Sequence, residues 1–179
     1  MHNTRVIITG GPGAGKTTLL SALADGGFPV VEESARAIIA ERRARGASPR
    51  PAPLAFAREI LRRDRLKYAA NSGTAGWVFF DRGLVEALAM VHEAQPLPEA
   101  QLQAELAAYP FHPTVFVLPP WEEIYSRDTE RDQTLAEAVR VHARVVEWYA
   151  ACGYLLEEVP RVPVAERAAH VVRVLDGAA

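Results

Sequence analysis

The segment Gly10-Gly-Pro-Gly-Ala-Gly-Lys-Thr17 restricts the fold of this chain more than any other stretch. It fits the spacing G-x-x-x-x-G-K-[ST] at every fixed position. Before it runs Arg5-Val-Ile-Ile-Thr9, whose apolar residues do not alternate with polar ones, as expected of a strand buried on both faces. After it a helix is predicted to begin, over Thr17 to Leu23. Strand, glycine-rich turn and helix in that order make a cradle for an anion. Glycines let the backbone turn tightly and bring its N–H groups to phosphate oxygens. The helix aims the positive end of its dipole at the same point. Lys16 supplies a mobile ammonium to the β- and γ-phosphates, and Thr17 offers a hydroxyl to Mg²⁺. The candidate nucleotide-binding residues are therefore Gly10, Gly11, Pro12, Gly13, Ala14, Gly15, Lys16, Thr17 and Thr18, for ATP or GTP with Mg²⁺.

The rest of the chain alternates short apolar runs with longer helical patterns. Pro29-Val-Val31, Trp77-Val-Phe-Phe80, Thr114-Val-Phe-Val-Leu118 and Tyr154-Leu-Leu156 read as further strands. Helices are predicted over Ala35 to Arg45, Leu54 to Ala70, Leu84 to Glu93, Glu99 to Ala108, Thr134 to Ala151 and, opened by Pro163, to about Leu175. Gly46 to Pro53 is a turn-rich connection. This alternation predicts an α/β fold with a parallel sheet whose ligand sits at the carboxyl ends of the strands. At 179 residues the expectation is one domain spanning residues 1–179.

Two more strand ends carry polar groups. Glu32-Glu33-Ser34-Ala35-Arg36 follows the second strand and Asp81-Arg82-Gly83 the third. A carboxylate there can hold Mg²⁺ through water or accept a proton from an attacking hydroxyl. An arginine can clamp an anionic substrate. Glu33 has a plainer alternative, attraction to a helix N-terminus. Asp81 closes a very apolar strand, where an unpaired carboxylate is costly. Glu33 and Asp81 are thus candidate catalytic residues, with Asp81 beside Thr17 as a metal-side group, and Glu33, Arg36 and Arg82 are candidate substrate contacts. The polar stretch Tyr125 to Gln133 carries Arg127 and Arg131, which share a face if it is helical. The expectation is a lid near residues 125–135 whose two arginines stabilise a phosphoryl group in transfer; the alternative is a solvated helix face.

Other classes are less well supported. The formal charge of −2 does not favour a nucleic-acid or membrane partner. The helix bearing Arg58, Arg62, Arg63, Arg65 and Lys67 is basic but has no aromatic stacking platform between its cations, so a solvated face or acceptor binding is expected of it. His92, His112, His142 and His170 have no metal-ligand spacing and read as structural or exposed. A single cysteine, Cys152, fits a helix end before Gly153 and excludes an internal disulfide. No long apolar stretch stands at the N-terminus, so a cytoplasmic protein is the expectation.

Four passages carry a family resemblance: Ile7-Ile-Thr-Gly-Gly-Pro-Gly-Ala-Gly-Lys-Thr-Thr18, Val30-Val-Glu-Glu-Ser-Ala-Arg36, Phe79-Phe-Asp-Arg-Gly83 and Arg127 to Gln133. Through them the chain resembles small AAA-type P-loop ATPase/kinase domains, among them the ribosylnicotinamide kinase domain of a bifunctional NAD-biosynthesis protein. It is also similar to eukaryotic GTP-binding trafficking proteins. The resemblance implies a three-layer P-loop NTPase fold, nucleotide-kinase-like, with a five-stranded parallel sheet of order 2-3-1-4-5. It implies that Lys16 and Thr17 serve the triphosphate and Mg²⁺, and that Glu33, Arg36, Asp81 and Arg82 match the acceptor side. One departure stands out: the fourth strand ends at Pro119-Pro120 with no acidic residue.

The leading expectation is a phosphotransferase that moves the γ-phosphate of ATP to a hydroxyl of a small molecule, nucleoside-like in character. The alternative is a regulatory NTPase or switch that acts by binding another protein. A motor-type ATPase is weaker, since the chain lacks a separate helical lid domain.

Overall fold

The computed structural model describes residues 4–49, 51–124 and 134–177. Its five strands are β1 (Arg5–Gly10), β2 (Val30–Val31), β3 (Val78–Asp81), β4 (Thr114–Leu118) and β5 (Leu155–Glu158). Its helices are α1 (Lys16–Asp25), α2 (Ser34–Ala44), α3 (Pro53–Ala70), α4 (Leu84–Ala94), α5 (Glu99–Ala108), α6 (Leu135–Ala151) and α7 (Val164–Gly177), with a short 3-10 turn at Glu122–Ile124. The strands form one parallel sheet in the order β2-β3-β1-β4-β5, with helices on both sides. The chain groups into two compact units, residues 1–30, 76–81 and 111–179 in one, residues 31–75 and 82–110 in the other.

The first unit holds nearly all of the sheet. Its central strands are apolar on both faces, as their unbroken hydrophobic runs require: Val6, Ile7, Ile8, Val78, Phe79, Val115 and Phe116 are fully buried. Val6, Ile8, Phe79, Phe116 and Leu118 pack with Leu19, Leu20 and Leu23 of α1 and Val171 and Leu175 of α7 in one core. On the opposite face Phe80 meets Phe111 edge to face, ring centres 5.1 Å apart. α6 starts at a capping box formed by Thr134 and Glu137. The Thr134 hydroxyl accepts from the Glu137 N–H at 3.2 Å, and the Glu137 carboxylate accepts from the Thr134 N–H at 2.6 Å. Cys152 caps the far end of α6 before Gly153, whose φ is +85°.

The expected strand Tyr154 to Leu156 is displaced: β5 runs Leu155–Glu158 and takes in Glu157 and Glu158. It is an edge strand, with Leu155 67% exposed, so its side chains need not be apolar and the hydrophobic pattern misplaces its ends. Glu157 instead holds His170 of α7 at 3.0 Å. His112 is buried and accepts the Thr114 N–H at 3.1 Å, a structural role.

The second unit is helical. Phe56, Ile60 and Leu61 of α3, Leu84, Val85 and Leu88 of α4, and Leu102 and Leu106 of α5 supply its buried side chains. The basic face of α3 is partly solvated, with Arg62 exposed and paired to Glu59 of the same helix. Arg63 grips both Glu41 oxygens of α2 at 2.7 Å and Glu59 at 2.8 Å, Arg65 pairs with Glu105 of α5, and Arg58 donates to Gln95 at 2.8 Å. These three cations tie α3 to residues outside it, a use that a single-helix view of the sequence does not reveal.

Candidate functional site

The glycine-rich loop lies in the first unit, at the carboxyl end of β1. Gly10 has φ +143°, and a Cβ placed on it would lie 2.5 Å from the carbonyl oxygen of Leu118 at the end of β4. A side chain there is therefore excluded by both backbone conformation and space. A Cβ on Gly11 would lie 2.8 Å from the Ala138 carbonyl oxygen. Gly13 and Gly15 have φ +75° and +82°. Gly15 is the N-cap of α1 and has no side chain with which to cap it, so the first-turn amides depend on backbone, water or an anion. Lys16 is only 6% exposed, whereas Thr17 and Thr18 are exposed at the start of α1. A charged lysine held this deep beside a glycine cradle suits a ligand rich in negative charge.

Asp81 is the last residue of β3, half-buried, and pairs in register with Ile8, two residues before Gly10 on the neighbouring strand. Asp81 and the loop thus occupy the ends of neighbouring strands in one unit, the strands about 5 Å apart and the loop beginning two residues beyond Asp81's partner. An exposed threonine hydroxyl and a strand-end carboxylate are hard oxygen donors and fit Mg²⁺ brought in by a nucleotide.

A second polar cluster lies within the helical unit. Glu33 is the N-cap residue of α2, but its carboxylate makes no cap hydrogen bond. One oxygen lies 3.3 Å from Arg82 Nε and the other 3.4 Å from Arg36 Nε. At the N-cap its charge also faces the positive end of the α2 dipole, as the plainer alternative expects. Arg82 also donates from Nη1 to Glu86 at 2.5 Å. Among the described residues Arg82 is the one non-glycine with positive φ, +68°, so its side chain is aimed at some cost in backbone strain. Arg36 is largely exposed, and Glu32 is exposed with its carbonyl accepting from Lys67 at 2.5 Å.

Sequence reasoning misses three members of this cluster. Ser34 is buried and its hydroxyl donates to Asp64 at 2.5 Å. Burial pushes the Asp64 carboxyl up to about 6; Ser34 and Lys67 pull it down, and Glu33 and Glu86 raise it further. Asp64 stands in the run Arg62-Arg-Asp-Arg65, where an acid reads as a surface partner of its basic neighbours. Glu86 leaves a weak trace, four residues after Arg82 and so one helical turn on. Arg127 and Arg131, the expected lid residues, lie outside the described residues.

A family model described as an AAA domain matches residues 5–167 of the chain. The chain belongs to this AAA domain family. No curated protein matches it in sequence. The fold of this AAA domain is similar to that of deoxyadenosine kinase from M. mycoides with bound dATP: TM-score 0.61 at 14% identity, over 97% of this chain and 100% of the other. It is likewise similar to thymidylate kinase from Candida albicans, with TM-score 0.64 at 12% identity over 98% and 92% of the two chains. NadR protein in complex with NR gives TM-score 0.63 at 19% identity, over 98% of this AAA domain and 51% of NadR. At such identities the likeness establishes the fold, and with it the nucleotide-kinase-like strand order expected above.

Proposed function

We propose that this AAA domain is a phosphotransferase that uses ATP, or GTP, with Mg²⁺ to phosphorylate a hydroxyl of a small, nucleoside-like molecule in the cytoplasm. The observation that carries the proposal is the second cluster. A glycine cradle with a buried lysine accounts for nucleotide binding alone, whereas Glu33, Ser34, Asp64, Arg82 and Glu86 add hydrogen-bonding carboxylates around one strained arginine. That chemistry suits a neutral acceptor with several hydroxyls. The kinases with the same fold agree with it.

In this reading the loop amides and Lys16 hold the β- and γ-phosphates, and Thr17 and Asp81 hold Mg²⁺, directly or through water. The metal, when bound, neutralises charge on the phosphates. Glu33 accepts the proton of the acceptor hydroxyl, whose oxygen bonds to the γ-phosphorus as the bond to the β-phosphate oxygen breaks and its electron pair leaves with the diphosphate. Arg82 orients Glu33, and with Arg36 would donate hydrogen bonds to the acceptor's oxygen atoms. The test is a panel of nucleosides, ribosides and other polyols with ATP·Mg²⁺, following diphosphate release above the rate without acceptor. Rates flat across the panel would refute the kinase.

A further inference from the structure

Arg167 of α7 belongs to no group described so far. It is only 6% exposed, and its Nε and Nη1 are enclosed with no hydrogen-bond acceptor among the described residues. Its guanidinium lies over the ring of Trp121, 5.5 Å from the centre. On its other side is the phosphate loop: a Cβ placed on Gly15 would lie 2.8 Å from Arg167 Nη1 and 3.0 Å from Ile124 Cδ1. Arg167, Trp121, Ile124 and Gly15 all fall in the first unit. The arginine is thus fixed between an indole face and the last glycine before Lys16.

A buried cation without an acceptor costs free energy, and an apolar residue of similar length would pack there without that cost. Burial also pulls its pKa down. The cation–π contact recovers part of the cost but leaves the N–H groups unsatisfied. An oxyanion would satisfy them: a planar guanidinium fork takes two phosphoryl oxygens at once, which a lysine cannot do. We infer that Arg167 is a phosphate ligand of the bound nucleotide, contacting the polyphosphate from the Gly15 side of the loop, with Trp121 holding its guanidinium in place. This rests on the nucleotide-binding part of the proposed function and adds a contact from the last helix of the chain.

The test is calorimetric titration of ATP·Mg²⁺ and of inorganic tripolyphosphate·Mg²⁺ into wild type, Lys16→Ala, Arg167→Met and Arg167→Lys, with the melting temperature of each ligand-free protein. Arg167→Met keeps the apolar stem over Trp121 and removes the fork. It is expected to weaken both ligands about 10- to 100-fold, the range of charge-assisted hydrogen bonds, while the ligand-free melting temperature holds or rises. Arg167→Lys should recover only part of the affinity. Unchanged affinity in Arg167→Met, with wild-type binding that depends on Lys16, would overturn this assignment alone. So would weaker ATP binding with tripolyphosphate unaffected, or a lowered melting temperature with unaltered affinity. Wild type that binds neither ligand would instead remove the nucleotide site itself, and this contact with it.

Discussion

Replacing Asp64 with Asn should make the ligand-free protein more stable relative to wild type as pH rises. In the folded protein burial lifts the Asp64 carboxyl from 3.8 to about 6, so the folded state holds its proton more tightly than the unfolded chain does. Unfolding free energy from this group therefore falls as pH climbs from about 4 to about 6, and the deficit is complete above that. At about 1.4 kcal/mol per pH unit the rise amounts to about 3 kcal/mol. Asn keeps the shape and still accepts from the Ser34 hydroxyl, but carries no charge to desolvate and does not repel Glu33 or Glu86. Urea denaturation of both proteins at several pH values from 4 to 7.5 isolates the effect, because carboxylates outside the cluster titrate alike in each and cancel in the difference. The stability of Asp64→Asn minus that of wild type should grow by up to about 3 kcal/mol across this range. A difference that stays flat would mean that Asp64 is solvated. A difference of opposite slope would mean that it folds as an ionised partner of Lys67, and either result refutes the argument from burial.

Lys16→Ala should weaken ATP·Mg²⁺ by a few kcal/mol or abolish turnover at an unchanged fold, and titration calorimetry with a circular-dichroism melt checks both. Asp81→Asn should lower turnover about 10²- to 10⁴-fold if the carboxylate serves metal or chemistry. Turnover against Mg²⁺ concentration, with the melting temperature of the ligand-free protein, separates this from a structural role, for which melting falls and turnover holds. Gly10→Ala should destabilise the protein by at least about 1–3 kcal/mol, since the new methyl must occupy a disfavoured φ and displace the Leu118 carbonyl, and thermal melting reads it directly.

Much of the fold is written locally. Gly10 to Thr17 announces itself because each residue type answers a backbone or phosphate requirement within one turn of chain. β1, β3 and β4 are legible because strands buried on both faces must be apolar throughout. β5 is blurred because an edge strand tolerates Leu155 in solvent and two glutamates in its ladder. Glu33, Arg36, Asp81 and Arg82 could be picked out as strand-end polar residues, but not which of them pair, nor the buried Ser34 and Asp64 beside them. Ser34 and Asp64 are 30 positions apart, and Arg63 and Glu41 are 22 apart. Arg167 comes to Gly15 only because α1 and α7 share one core on the sheet. Burial and long-range pairing decide which carboxylate is desolvated and which arginine is left facing the loop. Those are properties of neighbours in space, which a linear pattern of residue types does not encode.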